Sequence, residues 1–359
     1  MSLETTLKYA DIYFRRGKRT NNPEIIRTAA KLYEKAIKKN PRHSKARNHY
    51  GVALDLLGMV DKAVEQFAEA LTLDPKNADA HNNLGQIYLQ TNKFKEGIEE
   101  FDKAILHDPY QFAAYRSKGY ALIRINELER AIEAYERVIR LDPGNTTRNA
   151  TAYANIGFAL STIGRFDEAI EKFKEAIRLE PKSSDAHTNF GVLLNTLKRF
   201  DEAAKKLVIA TQLNPKNSEA YANLGLALTG LNKPEEAIEN LAKAIRINPN
   251  IALAYGAMGL ALNQLKRYND AINCCNLAIK LDDTNLAARI YLAAAYSAKG
   301  NIKLSRQSYE TALCRFRQQK YKTSAEYHAA IRIEKLLIDM GAIKEAEIEK
   351  EAALKGMHI

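Results

Sequence analysis

The sequence predicts an all-α array of antiparallel helix pairs, and three observations predict it. Proline falls at 41, 75, 109, 143, 181, 215 and 249, with Asp283 in the next slot, so the chain repeats in steps of 34 residues broken by one step of 38. Small residues hold fixed places within each step. Between them, large apolar residues recur three and four apart, the spacing of an amphipathic helix. At 359 residues the chain exceeds one ordinary hydrophobic core, and a repeat array accommodates that length without one.

Counting each unit so that the proline is its position 32 puts the starts at 10, 44, 78, 112, 150, 184, 218, 252 and 286. Position 8 is then Gly17, Gly51, Gly85, Gly119, Gly157, Gly191, Gly225 and Gly259, with Ala293 last. Position 20 is Ala29, Ala63, Gly97, Ala131, Ala169, Ala203, Ala237 and Ala271, then Ser305; position 27 is alanine in every unit except at Val138. Small residues at these places let helix backbones approach closely. In the unit from 218, Tyr221, Leu224 and Leu228 mark a first helix, and Ile238, Leu241 and Ile245 a second, each of roughly 13 residues. A turn at Asn232 and Lys233 separates them. Pro234 suits the first turn of the second helix, where its missing N–H costs nothing. Pro249 ends that helix, because proline disfavours helical geometry in the residue before it.

Residues 1–9 are the start of the first helix, residues 10–319 hold nine tandem units, and residues 320–359 form a degenerate repeat with capping helices. The stretch DMGAIKEAEIEKEAALKG from Asp339 echoes a turn and second helix, with the polar outer positions a solenoid cap needs. The insertion at 146–149 extends the connecting loop or the flanking helix without breaking the stack. Asn145-Thr-Thr and Asn149-Ala-Thr fit the glycosylation acceptor pattern and read here as loop sequence.

From residue 10 to about 319 the pattern resembles the tetratricopeptide repeat. The aromatic common at position 4 of that family is present as Tyr115, Tyr153, Tyr221 and Tyr255, and His81 and His187 replace it in two units. The resemblance implies a right-handed superhelical solenoid, whose first helices line a concave groove and whose second helices form the outer face.

Composition narrows the function. No apolar run approaches the ~18 residues of a membrane span, and the first residues, MSLETTLKYADIYFRRGKR, resemble no signal peptide. Cys274, Cys275 and Cys314 make no disulfide framework, and together these features point to the cytoplasm. Of the net charge of +11, residues 1–47 carry +9, from 13 Lys and Arg against 4 Asp and Glu. That basic patch comprises Arg15, Arg16, Lys18 and Arg19 with Lys35, Lys38, Lys39, Arg42, Lys45 and Arg47, a candidate dock for an acidic partner or anionic surface. It lacks the interleaved aromatics of a nucleic-acid stacking platform, which argues against nucleic acid.

Nothing points to catalysis. The seven histidines form no HExxH pattern and no zinc-spaced Cys/His cluster. His81 and His187 occupy core aromatic positions. Cys275 falls on the apolar position 24. Asp167-Glu168 and Glu235-Glu236 begin second helices, where negative charge complements the helix dipole. The expectation is a protein that is not an enzyme, with no cofactor and no metal: a scaffold binding a protein or extended peptide in its groove. The alternatives are the repeat region of a larger enzyme or complex, as in the O-linked N-acetylglucosamine transferases, and a binder of an acidic surface or nucleic acid acting through the basic first unit. Self-association through the end repeats stays open. The clamp by which some family members grip chaperone tails pairs a position-5 lysine with a position-9 asparagine. Here position 9 is Val52, Gln86, Tyr120, Phe158, Val192, Leu226 and Leu260, so that function is not implied.

The candidate groove site is a file of asparagines at position 6: Asn83, Asn155, Asn189 and Asn223. It resembles the asparagine ladder of the O-linked N-acetylglucosamine transferase repeats. An amide offers donor and acceptor together and so satisfies a peptide backbone whatever its side chains. Packed helices stand ~8–10 Å apart and an extended chain covers ~3.3–3.6 Å per residue, so one asparagine meets about every third peptide residue. Asn82, Gln86, Gln90, Arg116, Arg124, Asn195, Thr229 and Asn263 would add selectivity. His49, Ser117, Ala257 and Tyr291 interrupt the file, leaving Asn155 to Asn223 as its continuous part.

Overall fold

The structure, a computed structural model, describes residues 2–318, and these fold into eighteen α-helices with no strand among them. They run in pairs: α1 (Leu3–Thr20) and α2 (Pro23–Lys39), α3 (Ser44–Leu56) and α4 (Val60–Leu73), α5 (Ala78–Gln90) and α6 (Phe94–His107), α7 (Phe112–Arg124) and α8 (Leu128–Leu141). There follow α9 (Thr146–Thr162) and α10 (Phe166–Leu179), α11 (Ser184–Thr196) and α12 (Phe200–Leu213), α13 (Ser218–Gly230) and α14 (Pro234–Ile247). The last pairs are α15 (Ala252–Gln264) with α16 (Tyr268–Leu281) and α17 (Leu286–Ala298) with α18 (Ile302–Gln318). The expected C-terminal repeat and cap at 320–359 lie outside the described residues.

The chain divides into two compact units, Met1–Ala159 and Leu160–Ile359, with the boundary inside α9. Within the first, α2, α4 and α6 each pack on both their own first helix and the next, as α2 does on α1 and α3. First helices also meet one another, α3 with α5 and α5 with α7. Within the second unit the same scheme holds, α12 packing on α11 and α13, and α13 meeting α15.

Local chemistry sets the ends of these helices. The residue before a first helix caps it: the side-chain oxygens of Asn77, Ser183, Asn217 and Asn285 accept from the backbone N–H of Ala80, Ala186, Ala220 and Ala288 at 2.9–3.3 Å. Within the pair, the chain turns through one residue at positive φ, at Gly58, Asn92, Asn126, Gly164, Lys198, Asn232, Lys266 and Gly300. That left-handed conformation suits glycine and asparagine, and it aims the second helix back along the first.

The pair is closed by one contact. A Cβ built on Gly225 would stand 2.4 Å from Leu241 Cγ, and one on Gly191 would stand 2.5 Å from Leu207 Cγ. Gly51, Gly85 and Gly119 face Phe67, Phe101 and Tyr135 with the same closeness. Position 24 of the second helix therefore fills the space a side chain at position 8 would occupy. The position-20 alanines Ala63, Ala131, Ala169, Ala203, Ala237 and Ala271 have no exposed surface at all.

The histidines at position 4 are buried, as expected of core residues, and each has a second task. His81 Nε2 and His187 Nε2 lie 3.1 Å from the carbonyls of Pro75 and Pro181, bonding the turn that precedes their helix. Arg47 and Arg289 make the same bond to the carbonyls of Pro41 and Asp283.

The insertion lengthens a helix. α9 has 17 residues where α7 and α11 have 13, the extra turn being residues 146–149. Reading both Asn-x-Thr strings as loop sequence is corrected for the second. Asn149 lies within α9 and is buried, its Nδ2 donating to the carbonyls of Asp142 at 2.9 Å and Pro143 at 3.1 Å. Asn145 remains in the turn and caps the helix, accepting from Arg148 N at 3.0 Å.

Two predictions follow from this packing. Gly225→Ala drives a methyl into Leu241 and lowers stability by about 1–3 kcal/mol in urea denaturation. The same substitution in a Leu241→Ala background costs distinctly less, and equal costs in the two backgrounds would show that the contact is not what closes the pair. Burial lowers the His187 pKa, so the unfolded chain binds the proton more readily than the folded one. Stability is therefore retained above the ordinary histidine value of about 6.5 and falls as pH drops below it. His187→Tyr, which restores the common residue at position 4, removes that component of the pH profile.

Candidate functional site

First helices carry positions 2, 5, 6, 9, 12 and 13 toward one face, and most amides there turn out to bond a neighbouring repeat. In the first unit, Asn83 Nδ2 donates to Asn48 Oδ1 at 2.9 Å, tying α5 to α3. Gln86 donates to Ser117 Oγ, tying α5 to α7. Gln90 reaches Asp55 at 3.5 Å, and burial raises the Asp55 pKa, a rise that this bond opposes. His49 Nδ1 lies 3.3 Å from Asp11 Oδ1, which also accepts from the buried Tyr33 hydroxyl. Asn82 is half-buried, and its Oδ1 has no hydrogen-bond partner.

Arg116 is exposed on α7. Arg124 lies 4.6 Å from the centre of the Phe94 ring and donates to the Tyr120 hydroxyl at 2.9 Å. That bond holds Tyr120, 45% exposed, upright on the face. Phe158, at the same position 9 on α9, is 41% exposed. Asn155, one turn before it, is half-buried with no hydrogen bond among the described residues.

In the second unit, Asn195 Nδ2 donates to the backbone carbonyl of Asn223 at 2.9 Å, and Asn263 Nδ2 to that of Tyr291 at 2.9 Å. These are the same bond made twice, from position 12 of one first helix to position 6 of the next. Gln264 donates to the carbonyl of Thr229, whose hydroxyl bonds the carbonyl of Gly225 in its own helix. Asn223 is 4% exposed, and its Nδ2 donates to the carbonyl of Glu219 one turn back. Asn223 is thus engaged twice, its side chain within its own helix and its backbone carbonyl by Asn195. Asn189 is half-buried and has no hydrogen bond among the described residues. Burial, then repulsion from Asp185, raises the Glu219 pKa.

Of the position-6 file, the structure leaves Asn155 and Asn189 with unengaged amides, the first in one unit and the second in the other. The basic patch separates in a similar way. Arg15 and Lys18 take positions 6 and 9 of α1, on the first-helix face, and Arg16 and Arg19 take positions 7 and 10. Lys38 and Lys39 end α2, Lys38 pairing with Glu34 at 2.7 Å, and Arg42 is exposed in the following turn. Arg47 is engaged with Gln66 and Glu69. Sequence reasoning passed over Tyr120 and Phe158 as site residues. Their signal was an aromatic at position 9 in two successive units.

Tetratricopeptide-repeat family models match residues 32–65, 56–92, 82–146, 163–224, 218–251 and 252–285. No curated protein matches the chain. Among solved structures, the Cut9–Hcn1 hetero-tetramer of APC/C is similar with a TM-score of 0.58 at 21% identity. The alignment covers 75% of this chain and 52% of that one, about half its length. Yeast Tom70 is similar with a TM-score of 0.50 at 21% identity, over 83% of this chain and 63% of that one. At these identities the likeness is one of fold. No helix among the described residues is long and apolar enough to cross a membrane.

Proposed function

Because the chain belongs to the tetratricopeptide repeat family, we propose that it is a non-catalytic scaffold that binds an extended segment of a protein partner along its first helices. The observation that carries this reading is the contrast on that face. Asn83, Asn195, Asn223 and Asn263 are engaged in helix packing, whereas Asn155 and Asn189 keep their amides and Tyr120 keeps nearly half its surface in solvent. An exposed tyrosine held by an arginine is the kind of anchor on which interfaces concentrate their binding energy. Arg116 and Arg124 beside it favour a ligand with acidic residues near an aromatic or aliphatic one.

Selectivity for a peptide backbone rests on Asn155 and Asn189, each within its own unit. The asparagines already bonded within the protein would have to break those bonds to bind, so they position helices instead.

A peptide-array screen for partners, repeated with Tyr120→Ala, Arg116→Ala and the Asn155→Ala/Asn189→Ala pair, tests the reading. Tyr120→Ala and the asparagine pair should each weaken binding about tenfold, with helix content and melting unchanged. Asn195→Ala should instead lower stability by about 1 kcal/mol and leave affinity intact in the folded protein. Binding that survives Tyr120→Ala and the asparagine pair undiminished would move the site off this face.

A further inference from the structure

One helix face breaks the register of the rest. In every unit after the first, position 3 is an alanine with at most 2% of its surface exposed: Ala46, Ala80, Ala114, Ala152, Ala186, Ala220, Ala254 and Ala288. This face packs against the preceding second helix, as Ala114 of α7 packs with Ala104 and Phe101 of α6. In α1 the equivalent residue is Ile12, and it is 50% exposed. Tyr9 and Tyr13 beside it are 48% and 36% exposed. Residues 9, 12 and 13 share one stripe of a helix, which Arg16 and Arg19 continue, both exposed. Position 7, where Arg16 stands, is a buried apolar residue in Leu84, Ile156, Phe190, Leu224 and Leu292.

A solenoid face that only has to stay soluble is polar. This one presents three large apolar side chains and a cluster of cations. The nearby ion pairs, Arg27 with Glu24 and Lys38 with Glu34, lie on α2 and leave Arg15, Arg16, Lys18 and Arg19 unneutralised. A second copy of this chain would bring the same +9 of residues 1–47 against itself, and like charges directly opposed are unfavourable. A lipid surface makes poor use of an apolar stripe little more than one helical turn long. A helix fits it, because apolar side chains spaced i, i+3 and i+4 interlock with the same spacing on another helix.

We propose that the free face of α1 docks an acidic amphipathic helix of a partner protein, in the place that a second helix takes before every later first helix. Its apolar residues pack on Tyr9, Ile12 and Tyr13, and its carboxylates meet Arg16 and Arg19, with Arg15 and Lys18 adding to the field. This surface is separate from the peptide-binding face, and the proposal does not rest on that reading.

The test uses the full chain and a labelled synthetic helix with leucine at i, i+3, i+4 and i+7 and glutamate on its flanks, read by fluorescence anisotropy. A lysine-for-glutamate version, vesicles of phosphatidylserine and sedimentation equilibrium of the chain alone complete it. The acidic helix should bind, more weakly as salt is raised. Ile12→Ser/Tyr13→Ser and Arg16→Glu/Arg19→Glu should each lower affinity at least about tenfold. These positions are exposed, so circular dichroism should be unchanged, and Tyr120→Ala should leave this affinity alone. The proposal is overturned if the acidic helix does not bind, if either double variant binds it as well as the parent, or if the lysine version binds equally. It is also overturned if vesicles are bound through these residues in the helix's stead, or if the chain dimerises through Ile12 and Tyr13.

Discussion

The closeness of the two helices within a pair, set in six of the pairs by glycine at position 8 (Gly51, Gly85, Gly119, Gly191, Gly225 and Gly259) against the residue at position 24, is the constraint on which the rest depends. Tyr33, Phe67, Phe101, Tyr135 and Phe173 occupy position 24 early in the chain and are almost wholly buried. Leu207, Leu241 and Cys275 follow, equally buried. Side-chain volume is smaller at Leu207, Leu241 and Cys275 than at the aromatics before them, yet the glycine contact stays tight, at 2.4 Å from a Gly259 Cβ to Cys275 Sγ. Burial pushes the Cys275 thiol pKa up to about 12, so this cysteine is a packing residue in chemistry as well as in place. A constant separation within pairs keeps a register position on the same face in successive repeats of each compact unit, which is what allows a surface to be described by position there.

Polar groups then tie one repeat to the next, and they use two recurring bonds. Position 4 reaches back to the carbonyl at position 32 of the preceding unit when it is histidine or arginine. At Tyr115 and Tyr221 a cation from the second helix lies over the ring instead, Arg137 over Tyr115 at 6.0 Å and Lys243 over Tyr221 at 5.8 Å. At Asn195 and Asn263, position 12 reaches forward to the position-6 carbonyl of the following first helix. Buried backbone and side-chain groups are rarely left without partners, so an amide on the first-helix face is drawn into such bonds wherever its neighbour permits.

That is why the fold was legible in the sequence and the site only partly so. The period, the capping asparagines and Ser183, and the glycine or asparagine of most turns are local signals, each carried by the residue that does the work. The state of an asparagine at position 6 depends on a residue some 28 to 35 positions away. Asn83 bonds Asn48, whereas Asn155 and Asn189 make no hydrogen bond among the described residues, and the four look alike in sequence. The extra turn of α9 illustrates the same limit. Its length was countable, but its place in the helix was decided by Asn149 bonding the turn of residues 142 and 143. Ile12 was legible and went unread: alignment of the units puts it against alanine in all eight others.

A repeat array also decides how its surfaces combine. Each repeat touches only its neighbours, so stability is close to a sum over repeats and their interfaces. Effects of substitutions at sites without shared partners then add within a few tenths of a kcal/mol. The free face of α1 and the Tyr120 face of α7 share no hydrogen bond or ion pair, and α3 to α6 stand between them in the chain. A partner held at one should therefore leave affinity at the other unchanged. Coupling would arise only from a ligand long enough to engage both, through raised effective concentration rather than through a change in the protein. The charge distribution favours that mode, since Arg15 and Lys18 carry the cationic field of α1 onto the same first-helix positions 6 and 9 that Tyr120 and Asn155 occupy further along. An acidic partner with one helical and one extended segment would meet cations at both.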